Sequence, residues 1–182
     1  MELCAGGPLD DALRKGIPWE ETWKYGLELS LGLEYLHQKG VLHRDLKAEN
    51  VLLDSRGCAK LGDFGVAQVD ELIQEDEATV VAKGLQDQRF IAPETALFAG
   101  LSTKETDVYS LGLVFWQMAS LGAYPANPHH LPSQEHEAWI SGDGSFMRES
   151  IPESCPEPWK GLIKECWQFH PSQRPKIEEV IG

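Results

Sequence analysis

Between Pro18 and Gly40 the apolar residues Trp23, Leu27, Leu31, Tyr35 and Leu36 recur at helical spacing. They predict one long helix that stops at Gln38-Lys39-Gly40, a basic last turn followed by glycine. Ahead of it, Met1 to Cys4 reads as the end of a strand and Ala5-Gly6-Gly7-Pro8 as a turn. Pro8 suits the first turn of a short helix running to about Lys15, which Gly16-Ile17-Pro18 breaks. Val51-Leu52-Leu53 and Cys58-Ala59-Lys60-Leu61 then read as two short strands joined by the turn Asp54-Ser55-Arg56-Gly57. Residues 63 to 94 show little periodicity and carry the acids Asp70, Glu71, Glu75, Asp76 and Glu77, which suits a mobile loop. Ser102-Thr103-Lys104-Glu105 reads as a capping box that opens the most apolar helix, about 103 to 121. Residues 122 to 158 are rich in Pro, Gly, His and Ser, with one short helix near 133 to 141. Helices at about 157 to 168 and 172 to 181, the second capped by Ser172, close the chain. Trp19, Trp116, Trp159 and Trp167 fall on predicted helices and read as core. The pattern is mainly α with a small antiparallel β ribbon and no internal repeat.

A chain of 182 residues is one domain or one lobe of a larger one. Leu111 to Tyr124 is the longest greasy stretch, but Gly112, Gln117, Ser120 and Gly122 interrupt it, so it predicts a buried helix and no membrane span. No basic segment precedes an apolar run at the start, so no signal peptide is expected. Cys4, Cys58, Cys155 and Cys166 form no metal-binding spacing and suit reduced structural thiols, which points to the cytoplasm, with the nucleus equally compatible. The net charge of −13 argues against nucleic acid or an anionic membrane as a non-specific partner. His129-His130 has no partner at metal spacing and reads as loop.

The chemistry concentrates in His43-Arg44-Asp45-Leu46-Lys47-Ala48-Glu49-Asn50. An acid at Asp45 and a carboxamide at Asn50 suit phosphoryl transfer, where one orients and deprotonates a hydroxyl and the other holds a metal ion on nucleotide phosphates. Asp63-Phe64-Gly65 follows, and then Ala92-Pro93-Glu94. These strings, in this order, resemble the catalytic loop, the metal-binding loop and the end of the activation segment of protein kinases. The resemblance spans residues 1–182 and is to the large, C-terminal lobe, with the small lobe missing.

It implies that ATP and Mg²⁺ are used, with Asp45, Lys47 and Asn50 catalytic and Asn50 and Asp63 as oxygen ligands of the metal. Lys47 would steady the transferring phosphate and resembles the serine/threonine-directed kinases, so protein Ser or Thr is the expected substrate. Glu2 and Cys4 would offer backbone groups to adenine, above an apolar column of Leu9, Leu52, Val114 and Met118. Phe64 would pack on His43. Arg44 would gather charge from the activation segment. Asp107 would receive backbone N–H groups of the catalytic loop, and Glu94 would pair with Arg174. Glu49 matches a position that in some kinases meets a basic substrate residue, although an exposed acid is as good a reading, and Pro8 stands where such kinases hold an acid.

Two departures qualify that picture. No Gly-x-Gly-x-x-Gly loop and no lysine-bearing strand that covers a triphosphate is found. The expectation is a partial chain, inactive without its N-terminal lobe. The alternative is a catalytically silent lobe that binds a partner at the surface the small lobe normally covers. Asp87 also stands where the resemblance implies a threonine, and its charge would bond Lys47 yet repel Asp45. Thr79, the sole hydroxyl between Asp63 and Glu94, is the candidate activating phosphosite.

Overall fold

The computed structural model describes residues 4–65, 67–69, 87–98, 102–141 and 149–182. Among them the chain is mainly helical with small antiparallel sheets. β1 (Gly7–Pro8) leads directly into α1 (Leu9–Lys15), and α2 (Trp19–Gln38) follows after Pro18. β2 (Val41–Leu42) enters the loop that carries Asp45 and Asn50. β3 (Val51–Leu53) and β4 (Ala59–Leu61) form the expected hairpin, and Gly7–Pro8 adds a third strand with Gly7 opposite Leu53 and Pro8 opposite Leu52. The sequence suggested only a turn there. Pro8 lies at the edge of this sheet, where its missing N–H costs no ladder bond. β5 (Gln68–Val69) pairs with β2.

α3 (Pro93–Phe98) begins in the last two residues of the stretch expected to be loop and runs beyond it. α4 (Lys104–Ala119) is the central helix, buried over nearly all its length. Its N-cap is Thr103, one residue later than expected, and the Thr106 hydroxyl, in place of Glu105, accepts the Thr103 N–H at 3.1 Å. α5 (Ser133–Ser141) and α6 (Glu157–Cys166) fall as expected. α7 (Ile177–Ile181) begins five residues after Ser172. Pro175 explains the delay: it drives Arg174 to an extended backbone, φ −81° and ψ 144°, which no helix can pass through.

α2 forms as expected, and the residues whose spacing predicts it lie on its solvent face: Trp23, Leu27, Leu31 and Tyr35 are all exposed, Tyr35 to 60%. The buried face carries Tyr25, Leu29 and Leu33, interleaved with Thr22, Gly26 and Ser30. Gly26 lets Trp159 and Phe115 approach; a Cβ there would lie 2.5 Å from the Trp159 ring. Trp159 and Trp116 are buried, and Trp19 and Trp167 pack against the core, as expected of all four.

α4 and α6 meet closely at Gly112, where a Cβ would stand 2.7 Å from Cys166 Cβ and 3.1 Å from the Trp167 nitrogen. Backbone cannot yield as a side chain can, so Gly112→Ala should cost roughly 1–3 kcal/mol through over-packing. A lower urea midpoint with an unchanged slope is the expected result. Burial pushes the Cys166 thiol up to about 12, which fits the reading of a structural thiol. Among the described residues no helix is long and apolar enough to cross a membrane.

Candidate functional site

Asp107, on the first turns of α4 and 1% exposed, fixes the loop that carries the chemistry. Its Oδ2 accepts the His43 N–H at 2.9 Å and its Oδ1 the Arg44 N–H at 2.9 Å. His37 at the end of α2 adds its Nε2 at 3.0 Å from Oδ2. Two backbone donors on one buried carboxylate are charge-assisted bonds of the strong kind. They hold Arg44 in a left-handed backbone, φ 70°, a conformation that costs a non-glycine residue about 1 kcal/mol or more. Burial lowers the Arg44 guanidinium from its ordinary range, and Asp107 works against that. Gln117, nearly three turns beyond Asp107 on α4 and fully buried, accepts the Ala48 N–H at 3.0 Å and anchors the loop's far end.

Within the loop, Asp45 is 8% exposed. The Asn50 Nδ2 donates to Asp45 Oδ2 at 2.7 Å and to the Asp45 carbonyl at 2.8 Å. Both amide protons are thereby used, and the Asn50 Oδ1 is turned to the other side as an acceptor. Lys47 Nζ lies 3.2 Å from the same Asp45 Oδ2. The Asp45 N–H points to His43 Nδ1 at 3.4 Å, so that nitrogen is the acceptor and His43 Nε2 donates to the Gly62 carbonyl at 3.0 Å.

That bond ties the loop to the next one. Gly62 also donates its N–H to the Asn50 carbonyl at 2.8 Å, which sets Asp63 beside Asn50. Asp63 is exposed, has φ 53°, and accepts the Gly65 N–H at 3.2 Å. Phe64 packs on His43 as expected, ring centroids 5.3 Å apart. Asn50 and Asp63 offer amide and carboxylate oxygens only, with Asn50's nitrogen occupied elsewhere. That donor set fits a hard divalent cation shared with phosphate oxygens. Among the described residues no group of three or more His, Cys, Asp or Glu forms a metal cage of its own.

Glu94 and Arg174 form the expected pair, a fork with contacts of 2.6 and 2.7 Å. Arg174 also donates to the carbonyls of Glu105, Gln168 and Phe169 and lies over the Tyr109 ring. Asp87 sits beside the catalytic loop. Its Oδ2 is 3.9 Å from Lys47, and its backbone N–H points to Asp45 Oδ1 at 3.4 Å. The repulsion anticipated between Asp87 and Asp45 is offset by Arg89, whose side chain forks onto both Asp87 oxygens at 2.9 and 2.6 Å.

Of the residues expected near adenine, Leu9, Val114 and Met118 are buried and Leu52 is half-buried in the hairpin. Cys4 is half-buried, its carbonyl accepting the Gly7 N–H at 3.3 Å. Glu2 and Thr79 lie outside the described residues. His129-His130 falls in a short turn, Pro128–His130. Gln117 and Arg89 escaped the sequence reading. A lone polar residue inside the apolar run of α4 was the signal for Gln117; no local pattern marked Arg89.

The family model described as protein tyrosine and serine/threonine kinase matches residues 1–182. The chain is 34% identical over 185 residues to the tyrosine-protein kinase Fer of Homo sapiens, covering 99% of this chain and 21% of that protein. It is 34% identical over 192 residues to a putative molluscan insulin-related peptide receptor of Lymnaea stagnalis, covering 100% of this chain and 11% of that one. To the serine/threonine/tyrosine-protein kinase HT1 of Arabidopsis thaliana it is 32% identical over 191 residues, 100% of this chain and 45% of that protein. The chain therefore spans about a fifth or less of the first two and under half of the third.

Proposed function

The chain belongs to the protein tyrosine and serine/threonine kinase family, and from that premise we propose that its Asp45 site transfers the γ-phosphoryl group of ATP to a protein hydroxyl. The observation that carries the proposal is the Asp45 carboxylate, held by Asn50 at 2.7 Å and by Lys47 at 3.2 Å in a loop that Asp107 pins from below. Phosphoryl transfer depends on positioning and charge neutralisation, and these residues are fixed before substrate arrives. Asp45 orients the acceptor hydroxyl and takes its proton. Lys47 steadies the phosphoryl oxygens. Asn50 Oδ1 and the Asp63 carboxylate hold Mg²⁺, which, when bound, neutralises charge on the phosphates. The residues 1–182 are, on this proposal, the hinge and large lobe of the domain, with catalytic loop 43–50 and activation segment 63–94. Cys4 and Leu52 border the adenine, with Glu2 completing the edge. The buried thiols Cys155 and Cys166 support a reducing, cytoplasmic setting.

The resemblance of Lys47, two residues after Asp45, to the lysine of the serine/threonine-directed kinases favours Ser or Thr as acceptor. A tyrosine acceptor is the second reading, supported by the relatives named as tyrosine kinases. Phosphoamino-acid analysis of a mixed peptide library, labelled by the longest natural form of the protein that carries these residues, separates the two. Label on Ser and Thr is the expected outcome, and label confined to Tyr would overturn it. Asp45, Asn50 and Asp63 together favour an active enzyme over a silent binding lobe. Turnover also needs a glycine-rich loop and a lysine-bearing strand over the triphosphate, which these 182 residues do not supply. The 182-residue chain alone is therefore expected to transfer no phosphate.

A further inference from the structure

Lys47 lies between two carboxylates, Asp45 at 3.2 Å and Asp87 at 3.9 Å. A lysine in that position goes to whichever acid is less well neutralised. We propose that Arg89 is a positioning residue: by holding Asp87 in a fork it leaves Lys47 on Asp45, where the transferring phosphate needs it. This inference rests on the kinase reading of the site.

Three observations support it. Arg89 uses Nε and Nη2 on Asp87 at 2.9 and 2.6 Å, and its own backbone N–H adds a bond to Asp87 Oδ1 at 3.1 Å. Although burial pushes the Asp87 carboxyl up, Arg89's bonds and charge, with a contribution from Lys47, bring it below its usual range. Arg89 is itself held on its other sides, its guanidinium carbon 4.3 Å from the Tyr124 ring centre and its Nη2 3.9 Å from Glu49. Tyr124 in turn accepts a bond from Arg14 at 2.8 Å. The fork is thus braced by α1 and the catalytic loop, and it is not a loose surface pair of the kind that contributes little. With Arg89 removed, Asp87 stands half-buried with its charge unmatched, and among the described residues Lys47 is the nearest cation to fill the gap. Asp45 then loses the lysine, though the Asp87 N–H still reaches it.

The consequence is a specific rescue. In the longest natural form of the protein, Arg89→Ala should lower kcat by roughly ten- to a hundredfold, the scale of losing one well-placed group at a reacting centre, with KM for ATP little changed. Adding Asp87→Thr removes the competing charge, so the double variant should recover to within about threefold of the parent, the loss expected for a residual ~0.7 kcal/mol. A bracing role for Arg89 in the fold alone would leave the double variant as impaired as the single one, and that result overturns the proposal.

A second measurement needs no turnover. In the longest natural form of the protein with ¹³C-dimethylated lysines, the Lys47 methyl resonance should move in Arg89→Ala and return in Asp87→Thr/Arg89→Ala. An unmoved Lys47 resonance in a folded Arg89→Ala chain refutes the inference. Absence of phosphate transfer by the unsubstituted protein, with the resonance moving as described, refutes the kinase reading and leaves the arrangement of Lys47 intact.

Discussion

Asp45→Asn in the longest natural form of the protein should lower kcat by roughly 10²–10⁴-fold, the range that one general base supplies. The KM for ATP should stay within about threefold, since Asn50 and Asp63, not Asp45, are assigned to the metal and phosphates. The substitution keeps the side chain's shape, and the amide oxygen can still accept from Asn50, which bonds Asp45 at 2.7 Å. What it removes is the charge that attracts Lys47 and the lone pair that takes the hydroxyl proton. Loss of kcat without loss of ATP affinity, in steady-state kinetics, marks a group acting on the acceptor side. A matching rise in KM alone would assign Asp45 to nucleotide binding instead.

Glu94→Ala should destabilise the chain by about 3–5 kcal/mol, the cost of breaking a buried ion pair from one side. The Arg174 side chain is fully buried and Glu94 is 19% exposed. Removing the carboxylate leaves the guanidinium with three carbonyls and the Tyr109 ring, but no counter-charge. The pair ties α3 to the segment before α7, so the loss should also loosen residues 87–98 beside the catalytic loop. Thermal melts followed by tryptophan fluorescence should show the melting temperature falling by roughly 6–20 °C, taking 2–4 °C per kcal/mol for a chain of this size. Arg174→Lys in the presence of Glu94 should lose much of the same stability, because an ammonium cannot form the fork. A shift of under about 1 °C in Glu94→Ala would mean the pair behaves as an exposed one.

Much of the site was readable in the chain because its residues sit at short, fixed offsets. Asp45 and Asn50 lie on one loop and bond each other directly, and Asp63 follows two residues after the adjoining hairpin. Asp107 and the Glu94–Arg174 pair are long-range, yet each belongs to a motif that named its partner through the family resemblance. The face of α2 was not readable. Both sides of that helix carry apolar residues, so the period alone fits either. The deciding signal lay in Gly26, whose missing Cβ admits the Trp159 and Phe115 rings. The third strand was hidden because Gly7–Pro8 is two residues long and holds its place by pairing with Leu53 and Leu52, far along the chain. The α7 start was misplaced because Ser172 resembles a cap, while Pro175 forbids helix just behind it. Arg89 stayed hidden since its partners Glu49 and Tyr124 come from other segments, and only its neighbour Asp87 is local.

The central claim is that Asp45, Lys47, Asn50 and Asp63 make a phosphoryl-transfer site. The direct test is incorporation of labelled γ-phosphate into a mixed peptide library by the longest natural form of the protein with Mg·ATP, with Asp63→Ala measured alongside. Transfer by the parent protein and its loss by roughly 10²-fold or more in Asp63→Ala is the predicted result. No transfer by the parent, or equal transfer by Asp63→Ala, would contradict the assignment.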